Sequence, residues 1–211
     1  MLRIEVDGGV WLKPGAAIAY RGNIRFERLP TLDAHSVVDA ALRELAPIVR
    51  GSGRGRLYCG HHGAHVRLVQ LAGEAINVTA HDLIAFEDSL QFEPHVVAHG
   101  IGIAAGGLIT MRLSGHGSIA LASHGEPLTL PVTPGDPVST DPHATIAWSG
   151  DLTPALKTDL NWRSLFHHGG REPVQMFFEG NGYVMVQPFE DPRRISFGLG
   201  SLQKLSSLVG G

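Results

Sequence analysis

Ser52-Gly53-Arg54-Gly55-Arg56-Leu57-Tyr58-Cys59-Gly60-His61-His62-Gly63 and, 62 positions later, Ser114-Gly115-His116-Gly117-Ser118-Ile119-Ala120-Leu121-Ala122-Ser123-His124-Gly125 read as one pattern written twice. Extending the pair without a gap to Phe86 and Trp148 gives ten identities in 35 positions, among them Leu68/Leu130, Gly73/Gly135, His81/His143, Ile84/Ile146 and Ala85/Ala147. Self-similarity at a fixed spacing marks a copied structural unit. The unit reads as Gly-x-Gly, a strand, a His-Gly turn, a second strand, a Gly-acid turn and a short third strand. Apolar and polar residues alternate in His65-Val66-Arg67-Leu68 and again in Glu126-Pro127-Leu128-Thr129-Leu130, the period of a half-buried strand. Turn signals at this cadence predict an all-β, mainly antiparallel protein, a stacked sandwich or a barrel. The repeats run over about 52–94 and 114–156, with partial copies at about 10–26 and 179–199, inside one compact domain of residues 1–211.

Working outward, the glycines carry the turns. Gly53, Gly55, Gly63, Gly73, Gly115, Gly117, Gly125, Gly135, Gly180 and Gly182 are the expected structural turn or strand-entry positions, where a missing Cβ permits positive φ or close backbone approach. Two segments break the β pattern. Asp33 caps a predicted helix over 33–46, with Val37, Val38, Ala41, Leu42 and Leu45 on one stripe and Pro47 after it; Ser201 opens a shorter C-terminal one.

Composition agrees with a packed, turn-rich fold. Of 211 residues, 27 are Gly and 13 Pro, and 43% are hydrophobic, too many for a disordered chain. A net charge of −3 advertises no surface for nucleic acid or anionic membrane. The single cysteine, Cys59, forms no internal disulfide, and no secretory leader is read ahead of the first strand, so the cytoplasm is the expected compartment.

The glycine-framed strands Gly51–Tyr58, Leu113–Ala120 and Phe178–Val184, with Leu156-Lys157-Thr158-Asp159 between the last two, resemble the family of altered inheritance of mitochondria protein 24. The likeness is good over about 51–187 and loose over 10–26. It implies a TRAP-like, double-stranded β-helix or stacked-sheet fold of pseudo-repeats, oligomeric in many members, with no established enzymatic activity and no catalytic residues to transfer. Mitochondrial members are associated with inner-membrane organisation. This chain shows no Arg-rich transit peptide, and its predicted 33–46 helix has no counterpart in the family pattern.

Chemistry-bearing motifs are sparse. Twelve histidines include His61-His62-x-x-His65, and a cupin-like metal enzyme would draw on His62, His65, Glu74 and His124. A duplicated turn explains His62 and His124 without a ligand, so no metal or other cofactor is favoured. His99–Gly107 imitates a dinucleotide-binding glycine run but lacks the strand-then-helix context. The 96–111 stretch that contains it is apolar and too short for a transmembrane helix, and as an exposed patch it would mark a subunit or lipid contact. Gly115-His116-Gly117-Ser118 is no nucleophile elbow, and Cys59, inside an apolar strand, reads as a structural thiol. Arg54, Arg56 and Arg67 make a small basic strip, the sole footing for RNA binding by fold analogy; solvated strand positions explain them more simply, and nucleic acid is not favoured. The expected role is therefore a non-enzymatic scaffold or interaction protein working as a homo-oligomer, a trimer or larger ring, with a further protein partner allowed and peripheral membrane contact left open.

Overall fold

Strand follows strand wherever the side chains alternate. A computed structural model describes residues 1–28, 47–97, 108–158 and 174–189. They form β1 (Leu2–Leu12), β2 (Ala17–Arg28), β3 (Val49–Cys59), β4 (His65–Thr79), β5 (Leu83–Glu87), β6 (Gln91–Val97), β7 (Leu108–Ser123), β8 (Leu128–Val132), β9 (Val138–Thr140), β10 (Thr145–Ser149), β11 (Ala155–Thr158), β12 (Val174–Phe178) and β13 (Gly182–Val186). Every pairing is antiparallel. The all-β expectation therefore holds. The helices predicted over 33–46 and from Ser201 lie outside the described residues, as does the glycine run at 99–107.

One ten-stranded sheet runs β2-β3-β1-β5-β7-β4-β10-β13-β8, with β6 also on β7, and a three-stranded sheet runs β11-β12-β9. The large sheet closes into a sandwich because its two longest strands bend. A straight strand would separate Ile109 from Ala122 by about 43 Å. Yet Ala80 N donates to Ile109 O, and Ala122 N donates to Asp82 O, two residues further along the chain. The bend sits where the β4–β7 register slips between Ala72 and Ala75, a bulge of the kind that turns a strand from one layer into the next. Gly73 occupies it at φ +118°, a backbone setting that a residue with a Cβ enters only under strain. Leu71, Ile76, Val78, Ile109, Met111, Leu113, Ile119 and Leu121, drawn from both arms of the bent pair, fill the main core.

Two further cores follow from the same alternation. In β1 the even positions Val6, Val10 and Leu12 are buried with Leu57, Cys59, Ala120 and Ala122, while the odd positions Arg3, Glu5 and Asp7 face water. Trp148, Val184, Val132, Met176 and Phe178 close the gap between the large sheet and the three-stranded one. The Trp148 indole N–H, buried with its ring, donates to Leu152 O at 3.1 Å. Four successive residues are buried in β5 (Leu83 to Phe86) and again in β10 (Thr145 to Trp148), which identifies strands covered on both faces.

Candidate functional site

The inward parity of β3 runs on past its end. Leu57 and Cys59 are buried, and His61, two steps beyond in the turn, is buried too, at 9% exposure. The turn that follows is tight: Ala64 N donates to His61 O, and His62 takes φ 42°, the one non-glycine residue with positive φ among those described. The His61 ring lies 4.4 Å from that of His62 and 5.1 Å from that of His81 in the β4–β5 turn, both edge-on. Lys13, leaving β1, reaches across and donates its Nζ to His81 O at 2.7 Å. From the β7–β8 turn comes His124, whose backbone N–H donates to Gln187 Oε1 at 2.8 Å and whose ring stacks on Phe189 at 4.6 Å.

Four segments thus bring His61, His62, His81, His124 and Lys13 to one corner. Burial, then the charges of Lys13, His81, His62 and His124, pushes His61 from 6.5 down to about 3, so its imidazole is neutral at neutral pH. His61 Nε2, His124 Nδ1 and Gln187 Nε2 are buried without a protein hydrogen-bond partner, and such atoms are costly unless water or a ligand meets them.

Of the four residues read as metal candidates, His62 and His124 come to this corner. His65 opens β4 opposite Ser123 and is exposed. Glu74 does not approach: it sits in the β4 bulge, where its carboxylate accepts from Ala72 N at 2.9 Å, nine residues and roughly 30 Å of strand from His65. Among the described residues no group of three or more His, Cys, Asp or Glu side chains is placed to hold a metal ion. His61, part of the His61-His62-x-x-His65 run, and His81, a duplicated turn residue, stand outside the four candidates that the sequence reading names. The parity of Leu57 and Cys59 was the available signal for His61.

The glycines fall in two groups. Gly63, Gly125, Gly135 and Gly180 lie in turns with positive φ, Gly73 lies in the bulge and Gly182 begins β13. Gly53 and Gly55 lie inside β3, and Gly115 and Gly117 inside β7, rather than at strand entries. The reason is proximity: a Cβ on Gly53 or Gly55 would run into the backbone oxygen of Asn23 or Arg21 on β2. The basic strip is already neutralised. Arg54 pairs with Asp7 at 3.1 Å, Arg56 with Glu5 at 3.0 Å, and Arg67 with Glu126, so a phosphate backbone would have to displace carboxylates. Cys59 is fully buried, and burial drives its thiol up to about 11, far from a nucleophilic thiolate.

At the margin of the large sheet, where β2 has no outer partner strand among the described residues, it exposes Ile18 at 60%, Tyr20 at 56% and Phe26 at 38%, with the two rings 5.3 Å apart. Among the described residues no helix is long and apolar enough to cross a membrane.

A family model described as Mitochondrial biogenesis AIM24 matches residues 1–189. The fold is similar to the crystal structure of protein SPYM3_0169 from Streptococcus pyogenes, with a TM-score of 0.67 and 19% identity over 99% of this chain and 91% of that one. No curated protein matches the chain.

Proposed function

The chain belongs to the mitochondrial biogenesis AIM24 family, and from that premise we propose that it is a non-enzymatic interaction protein that works as a homo-oligomeric scaffold. The observation that carries this reading is β2, a twelve-residue strand at the sheet margin with Ile18, Tyr20 and Phe26 in water. Exposed apolar side chains grouped on an open edge mark an association surface. The arginine strip supports it from the other side, since it is internally paired. Light scattering at micromolar concentration tests it. A mass well above 22.6 kDa is expected; a clean monomer overturns the reading.

A further inference from the structure

The ten-stranded sheet ends on β2, whose outer edge pairs with no strand among the described residues. Natural edges are usually short, broken by proline or guarded by inward charges. This one is twelve residues long and without proline, its only register irregularity lies at Ala17–Ala19, and it carries a mixed charged face and an apolar face. We propose that β2 pairs antiparallel with β2 of a second copy, about a two-fold axis through Ile24. The proposal rests on the oligomeric reading above and specifies its contact.

Charge complementarity selects the register. Directly opposed residues of an antiparallel pair share a face, with Cβ atoms about 5 Å apart, so the two-fold must pass through a residue. An axis through Asn23 would set Arg21 against Arg25 of the other copy twice over. An axis through Gly22 opposes no unlike charges and draws in the Ala17–Ala19 irregularity, where the β2–β3 register shifts. An axis through Phe26 sets Arg25 against Glu27 but overlaps only Ile24–Arg28, whereas an axis through Ile24 uses the whole regular stretch Tyr20–Arg28. Arg21 then faces Glu27 of the second copy at both ends, and Asn23 faces Arg25. On the apolar face Phe26 covers Gly22 and Tyr20 meets Arg28. Phe26 already plays this part within the chain, lying against Gly51 of β3. A two-fold contact of this kind builds a dimer, or an even-numbered ring when joined to a second contact.

Charge reversal tests both levels. Arg21 and Glu27 are exposed, so R21E, E27R and the R21E/E27R exchange leave the core intact. Each single reversal makes two opposed pairs repulsive and is expected to raise the dimer dissociation constant at least about tenfold, and the exchange to restore it to within about threefold. In the unmutated protein, sedimentation should show the constant rising as salt goes from about 0.05 to 1 M. A wild-type monomer at about 100 µM overturns the scaffold reading together with this contact. A wild-type oligomer indifferent to both single reversals and to salt, or one weakened by them and not rescued by the exchange, overturns the contact and leaves the scaffold reading standing.

Discussion

His61 shows how one side chain ties the corner to solution conditions. Its folded pKa lies near 3 against 6.5 when free, so the unfolded chain binds a proton that the folded chain refuses. For a base depressed on folding, stability is complete above the unfolded value and drains away as pH falls below about 6.5. Between pH 7.5 and 5 the loss from this group should be about 1–2 kcal/mol, read as a lower urea midpoint. His61→Phe should flatten that segment of the profile, and a profile equally steep in the variant would refute the assignment. Gly53 sets a second residue-scale test. At φ +124° and hard against Asn23 O, Gly53→Ala should cost about 2 kcal/mol or more, part backbone strain and part separation of β2 from β3. The sequence displayed His62, His124 and His81 alike by duplication but hid that His81 joins the other two, because a turn residue reaches a distant turn only through the bend of β4 and β7. Glu74 failed as a partner for the same reason: proximity in sequence to His65 became distance along a straight arm.

At the scale of elements, alternation made most strands legible. The even-numbered apolar residues of β1 sit where a period-two reading puts them, whereas the Ile-Ala-aromatic runs of β5 and β10 are continuous apolar stretches buried on both faces. What alternation could not show was continuity. Gly53-x-Gly55 and Gly115-x-Gly117 read as punctuation ahead of strands, whereas both lie within strands: on β3 glycine lets the β2 backbone approach, and on β7 Gly115 lies opposite the β4 bulge where the two strands bend. β10 offers the sharpest energetic test. Trp148 is buried against Phe178 and held by its bond to Leu152 O, so Trp148→Ala should cost about 3–5 kcal/mol, and Trp148→Phe less, with Leu152 O left unpaired. Guanidinium melts of the two variants would rank them: a loss near zero in Trp148→Phe would show that the indole bond carries nothing, and equal losses would show that ring burial carries nothing. By contrast, Arg54→Ala and Arg56→Ala, which cut pairs more than half exposed, should each shift stability by less than about 1 kcal/mol.

For the whole molecule, association and stability are one measurement. If only folded chains associate, the assembly stabilises them by mass action, and each tenfold rise in concentration adds about 1.4 kcal/mol per dimer, or about 0.7 kcal/mol per chain. For a protein of 211 residues that corresponds to a rise in Tm of about 1–3 °C per decade. The β2 edge makes the effect selective. Calorimetry from about 1 to 100 µM should show the rise in the unmutated protein and its loss at the lower concentrations in Arg21→Glu, while changes in the buried core, such as Trp148→Ala, should lower Tm and keep the slope, because they weaken the fold without touching the edge. A Tm flat across that range in the unmutated protein would mean that Ile18, Tyr20 and Phe26 face water in the working molecule, and that the sheet margin serves something other than a second copy.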